Sequence, residues 1–135
     1  MSGWDELFGS GSVAEALAYA ELLWPALVEV EGMVFLREAV EVQPRLQDVP
    51  ATLRTFSSRT DMERAFNYIE VPIFFATGVD ASDEQLKQLA ETLRETWQAK
   101  LERAFPGRSF VVEILEGEAD DPTIRFSSVR GADGE

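Results

Sequence analysis

Residues 82–115 read SDEQLKQLAETLRETWQAKLERAFPGRSFVVEIL, and this stretch decides the fold. Ser82 and Gln85 form the capping-box pattern that begins a helix. Apolar residues then recur at helical spacing over about six turns, and this face consists of Leu86, Leu89, Ala90, Leu93, Trp97, Leu101, Ala104 and Phe105. The pair Pro106-Gly107 ends the helix. The pattern then changes to that of two strands, 109–115 and 122–129, so the sequence predicts a long helix beside a β-hairpin.

A second hairpin is predicted in the first half of the chain. Val28 and Val30 alternate with Glu29 and Glu31, and Glu31-Gly32 suits a tight turn. The following run, 33–36, is entirely apolar, which indicates contacts on both faces and hence a central strand. The pattern allows this strand to run on to residue 42.

Shorter helices are expected around these strands. Ser12 with Glu15 predicts a first helix that ends at Pro25, and its apolar face carries Val13, Ala16, Leu17, Ala20, Leu23, Trp24 and Leu27. Residues 50–56 allow one or two helical turns. Thr60 with Glu63 predicts a short helix whose buried face would be Met62, Ala65, Phe66 and Ile69.

The order of these elements predicts an α+β fold. We expect an antiparallel sheet of two hairpins, with helices, including the long one in the C-terminal half, packed on one face. Residues 68–76 alternate like a strand, but Pro72 limits them to an edge strand or an ordered loop. Residues 1–12 are expected to form a flexible arm, residues 13–130 a single domain, and residues 131–135 a disordered tail.

The composition excludes several classes of chemistry. The 135 residues include 25 acidic and 12 basic side chains, for a net charge of −13, and neither histidine nor cysteine. Disulfides, thiolate nucleophiles, imidazole zinc sites and Ser-His or Cys-His pairs are therefore excluded. The acidic balance disfavours binding to nucleic acid and to anionic lipid. Residues 1–9 do not resemble a secretory signal and no apolar run could span a membrane, so a cytoplasmic location is expected.

Three patterns that could carry chemistry have simpler interpretations. Residues 9–14 fit the dinucleotide fingerprint G-x-G-x-x-A, but no buried strand precedes them, so they are interpreted as a joint and a helix cap. The acidic loop after residue 115 lacks the glycine and the final glutamate of a calcium loop; it contains Glu116, Glu118, Asp120 and Asp121. Asp80, Asp83 and Glu84 are explained by the preference of a helix N-terminus for negative charge. We therefore expect no catalytic residues, no metal site and no cofactor.

Two features point to a protein partner. Trp4, Leu7 and Phe8 are spaced to form an apolar face on one helical turn, which would dock into a partner's groove or fold back onto the chain's own core. The acidic residues are concentrated in residues 1–43, where eight oppose a single base, and in residues 108–135, which have a net charge of −4. In the first of these regions, four glutamates would steer a basic partner if they line one exposed surface, and they are Glu29, Glu31, Glu38 and Glu41.

These observations predict a non-enzymatic protein that binds a basic partner protein. In element order and acidity the chain resembles small bacterial immunity proteins and secretion chaperones, as a class and without a shared motif, so an antitoxin-like or chaperone-like role fits best. One alternative is an enzyme built from carboxylates, arginines, tyrosine and serine, such as a metal-dependent hydrolase. Another is a structural or regulatory subunit that self-associates into a homo-oligomer.

Overall fold

A computed structural model describes residues 9–74, 82–116 and 122–131 of the chain. Within these residues it contains five α-helices and five strands. In chain order they are α1 (Val13–Leu23), β1 (Leu27–Val30), β2 (Met33–Leu36), α2 (Arg37–Val42), α3 (Val49–Leu53), α4 (Arg59–Phe66), β3 (Tyr68–Glu70), α5 (Asp83–Ala104), β4 (Phe110–Glu116) and β5 (Pro122–Ser128). Two 3₁₀ turns, Pro44–Gln47 and Val71–Phe74, complete the described elements. The α+β class is confirmed.

The long helix α5 has the structure that its sequence predicts. The Ser82 hydroxyl accepts from the backbone N–H of Gln85, and the Gln85 side chain accepts in return from the backbone N–H of Ser82. The middle of the predicted face, Ala90, Leu93, Trp97 and Leu101, is buried. Ala104 lies in the last turn and is exposed, because the buried face ends with the turn before it.

A three-stranded antiparallel sheet packs against α5. Its strand order is β3-β5-β4, so the last strand in the chain is the central one. Phe126 of β5 meets Trp97 edge to face, with ring centroids 5.9 Å apart. On the opposite face, Arg125 pairs with Glu113 of β4 at 2.6 Å, as their register requires. The sheet therefore has one face covered by α5.

The first hairpin forms a separate two-stranded sheet, β1-β2. Its turn residues Glu31 and Gly32 both have positive φ, at 52° and 80°, which is the geometry of a type I′ turn that suits the twist of a hairpin. All four residues of β2 are buried, as the apolar run predicts. Its second neighbour, however, is α4, so the two hairpins do not share one sheet.

Three local predictions are wrong. Strand β2 ends at residue 36, because the next residues form α2, which turns Ala39 into the core and leaves Glu38 and Glu41 in solvent. The N-cap of α4 is Ser58, whose hydroxyl accepts from Asp61, and the buried positions of this helix are Met62 and Glu63. Residue 65 is predicted to lie on the buried face of α4, but it is exposed.

The segment after α4 forms an edge strand followed by an ordered turn, and so combines the two alternatives that its sequence predicts. Strand β3 lies at the edge of its sheet, and it ends after three residues, at Glu70. Pro72 lies in the 3₁₀ turn that follows, where its missing N–H costs no ladder hydrogen bond. Residues 75 and 76 lie outside the described residues.

None of the helices in the described ranges combines the length and the apolar character needed to cross a bilayer.

Candidate functional site

A buried carboxylate joins the two sheets. Glu63 lies in α4 and is fully buried. One of its oxygens accepts from the backbone N–H of Ser128 at 2.9 Å and from the Arg130 guanidinium at 2.7 Å. The other accepts from the backbone N–H of Val34 at 2.9 Å and from the Ser128 hydroxyl at 2.7 Å. Four donors therefore compensate for the desolvation of this charge.

Asn67, at the end of α4, extends the same connection by one helical turn. Its side-chain oxygen accepts from the backbone N–H of Leu36 at 3.0 Å, and its amide nitrogen donates to the carbonyl of Val34 at 2.7 Å. Its backbone carbonyl accepts from the N–H of Phe126 at 3.0 Å. The end of α4 thus takes the place of a strand between β2 and β5. We call Glu63 and Asn67 the α4 clamp.

Arginines surround the tip of the first hairpin. The carbonyl of Gly32 accepts from Arg130 at 3.0 Å and from Arg108 at 2.9 Å. Arg59 donates to the carbonyl of Glu31 at 3.1 Å, and Arg108 also forms an ion pair with Glu29. These guanidinium groups therefore already have acceptors within the protein, and they fasten the hairpin to the rest of the fold.

An open depression of about 450 Å³ lies between the first turn of α4 and the end of β5. Its titratable lining groups are Asp61, Arg64 and Arg130, and the first two pair with each other at 3.5 Å. The depression brings together no pair of carboxylates and no nucleophile beside a base among the described residues. Residues 9–74, 82–116 and 122–131 contain no cluster of three or more carboxylates arranged to hold a metal ion.

The helix α1 presents an apolar stripe to solvent. Its members, spaced on one helical face, are Val13, Ala16, Leu17, Ala20 and Trp24, and we call them the outer stripe. Val13 is 76% exposed, Leu17 63% and Trp24 41%, and no residue of α1 is buried. The predicted apolar face consists of these five residues with Leu23 and Leu27, and only the latter two pack against the core.

The last turn of α1 explains why most of the predicted face is exposed. Leu22 and Leu23 are half-buried and pack against the core, and the indole N–H of Trp97 donates to the carbonyl of Leu22 at 2.9 Å. The ammonium of Lys100 lies 5.3 Å from the centre of the Trp24 ring. Because α1 is apolar on two sides, the core takes one side and the outer stripe keeps no described partner apart from this lysine.

The four glutamates predicted to bind a partner do not form one face. Glu29 lies in β1 beside Arg108, and Glu31 lies in the turn, where its positive φ takes it off the strand face. Glu38 and Glu41 are exposed on α2, beyond the other end of the hairpin. Trp4, Leu7 and Phe8 lie outside the described residues, as do Asp80, Glu118, Asp120 and Asp121.

The outer face of α5 carries an electrostatic pair away from these features. The hydrogen bond from Arg94 to the Glu91 carboxylate, together with the attraction between their charges, raises the pKa of Arg94. Since an arginine is already charged at neutral pH, this shift adds no titration there.

Sequence reasoning missed the α4 clamp and the outer stripe. The sequence predicts Glu63 to be a capping residue of its own helix, because its partners Ser128 and Arg130 are more than sixty residues away. A four-residue spacing between Glu63 and Asn67 on a short helix is the only local signal, and it is a common one.

Comparisons of the chain with models of protein families, with curated proteins and with solved structures found no significant match.

Proposed function

We propose that this protein is a non-enzymatic protein-binding protein, and that the outer stripe of α1 is its docking surface. The partner would be a basic protein that presents an apolar helical segment flanked by lysine or arginine. The observation that carries this proposal is the exposure of Val13 and Leu17 on a helix with no buried residue, together with the exposure of Trp24 directly after it.

Physical reasoning supports an interaction at this place. The outer stripe exposes three large apolar side chains along one helical face, and large contiguous apolar patches on monomeric proteins are often functional. Helix α1 has only 11 residues, and a helix of this length is marginal without packing. A partner laid along the stripe would bury the patch and stabilise the helix at the same time.

The charge around the stripe selects the kind of partner. Helix α1 carries Glu15 and Glu21 and no basic residue, and Arg37 is the only base in residues 1–43. A basic segment would be attracted to this region, whereas a second copy would bring like charges together. A dimer formed through this stripe would also bury less area than stable interfaces usually do.

Holding an apolar, basic segment agrees with an antitoxin-like or chaperone-like role. Such a protein covers a segment that its partner would otherwise expose. No reaction is needed for this function, and the binding would weaken as salt screens the attraction between the charges.

The test uses three labelled helical peptides of equal length. One has leucines along one face and lysines on the other, the second replaces lysine with glutamate, and the third has the composition of the first in scrambled order. Fluorescence anisotropy measures their binding to the protein at low and high salt. We expect the leucine-lysine peptide to bind best, and its affinity to fall with added salt.

Matched variants separate the stripe from general acidity. Leu17→Ser should weaken binding of the leucine-lysine peptide at least about tenfold, because one buried leucine contributes about 1.5–3 kcal/mol. Val129→Ser removes a comparably exposed side chain, 54% against 63%, from another part of the surface and should leave the affinity unchanged. Equal affinities for the two variants would refute the assignment of the docking surface to α1.

A further inference from the structure

The strand edges near α4 are hydrogen-bonded by residues of that helix. The outer edge of β2 is bonded by the side chains of the α4 clamp. The edge of β5 that extends past β3 is bonded by the same two residues, through the Asn67 carbonyl and the Glu63 carboxylate. Buried polar groups are thus used to satisfy backbone that lacks a neighbouring strand.

The edge of β4 differs from these edges. The hydrogen bond from Val129 to Ser109 continues the β4–β5 ladder, so the main chain of residues 111, 113 and 115 faces β5. The main chain of residues 110, 112, 114 and 116 therefore faces away from the sheet. Of these groups, the Phe110 carbonyl accepts from Gln98 at 3.4 Å. Within the described residues, Val112 and Ile114 have no hydrogen-bonding partner strand on this side.

This edge also lacks the usual protection against pairing. Strand β4 has seven residues, with no proline, no lysine and no bulge in its register with β5. Its central charge, Glu113, is paired with Arg125. Proteins normally shield an exposed edge with short strands, prolines, lysines or bulges. The other edge strand of this sheet, β3, has only three residues.

We infer that β4 pairs antiparallel with β4 of a second copy, across a two-fold axis at Val112. The two three-stranded sheets would then form one sheet of six strands. This register brings Phe110 opposite Ile114 and Val111 opposite Glu113, and it forms about six main-chain hydrogen bonds.

The charges favour this register over its neighbours. An axis at Glu113 would oppose two like charges, which destabilises a strand pair. With the axis at Val112, Glu113 of each copy lies opposite Val111 of the other, and Glu116 lies opposite residue 108. No two carboxylates then face each other across this edge, unlike the charges that a second copy would bring to the outer stripe of α1.

The pairing has a consequence for binding, although it does not depend on the proposed function. A two-fold axis perpendicular to the sheet places both α5 helices on the same side. Because α1 packs on α5, both first helices would be held in one dimer, and a partner with two binding segments would gain avidity.

Sedimentation equilibrium of the full chain over roughly 1 µM to 1 mM tests the pairing. We expect a reversible dimer. Val111 is 44% exposed and points away from α5, so its side chain can be changed without disturbing the core. Val111→Lys should tighten the dimer, since it places a lysine opposite Glu113, and Val111→Glu should weaken it about tenfold or more. Val129→Glu is the charge control and should have no effect.

The absence of native cysteine allows a test of the register. Val112→Cys places two thiols opposite each other at the axis and should form a disulfide between copies under mild oxidation. Ile114→Cys places them roughly 13 Å apart and should not, because a strand advances about 3.3 Å per residue. Circular dichroism and thermal melting check that each variant folds. A monomer at every concentration would overturn the inference. A dimer that ignores both Val111 changes and is not cross-linked through residue 112 would also overturn it.

Discussion

Replacing Glu63 with glutamine tests whether the fold depends on the carboxylate between its two sheets. The side chain keeps its size, but one acceptor oxygen becomes a donor and the negative charge is lost. Both carboxylate oxygens accept two hydrogen bonds, so either orientation of the amide turns an N–H toward a donor. In the more favourable orientation of the amide, its N–H donates to the Ser128 hydroxyl, which then acts as an acceptor. The buried N–H of Val34 is left without an acceptor.

The structure indicates a large loss of stability. A buried N–H without a partner costs about 1–3 kcal/mol. Arg130 also loses its counter-ion, and its side chain is only 9% exposed. Removing one member of a buried pair usually costs about 3–5 kcal/mol in total. With the unfolding entropy typical of 135 residues, this corresponds to a fall in Tm of about 11–18 °C.

Differential scanning calorimetry and urea unfolding measure this effect. The control is Glu113→Gln, which breaks the Glu113–Arg125 pair on the half-exposed sheet face and should cost about 1 kcal/mol or less. If both variants lose the same small amount, the buried carboxylate does not hold the sheets together and the reasoning fails. A double variant, Glu63→Gln with Arg130→Met, should recover part of the loss, because no unpaired charge then remains.

Three further predictions concern the clamp, the first helix and the hairpin turn. Asn67→Ala should lower the free energy of unfolding by about 2–4 kcal/mol in urea titrations, since both of its side-chain hydrogen bonds to β2 are lost in the core. Trp97→Phe should loosen α1, which loses the hydrogen bond to Leu22; hydrogen exchange should then rise most in α1. Gly32→Ala should cost about 1–2 kcal/mol because its φ is +80°, whereas Gly11→Ala, at a position without positive φ, should change the Tm by less than about 3 °C.

The parts of the fold that sequence could predict are those with local causes. The cap, apolar face and end of α5 all depend on residues within a few positions of one another, and so does the tight turn of the first hairpin. The predicted bounds of β4 and β5 lie within one residue of the observed ends for the same reason. Apolar residues recur every two positions in a strand and every three to four in a helix. This spacing is a property of a short segment, so it can be recognised without knowing what the segment packs against.

The rest depends on contacts between distant segments. Whether Leu17 or Leu22 faces inward is decided by Trp97, 75 residues beyond Leu22 in the chain. Glu63 is a surface residue by type, and only the donors of β2 and β5 make its burial favourable. The acidic surface was expected from charge counts, but Arg108 comes from beyond α5 to meet Glu29. None of these pairings has a signal in the segments that form it.

The α4 clamp also affects the order of folding during synthesis, because its partners are synthesised at different times. Glu63 leaves the ribosome 67 residues before Arg130, and β2 is made earlier still. At a synthesis rate of about 5–20 residues per second, Arg130 is added about 3–13 s after Glu63. The central strand β5 is the last of the five to be made, so β3 and β4 have no ladder to join until it emerges. Until then the Glu63 carboxylate stays hydrated, and the three-stranded sheet can form only after β5 has been made.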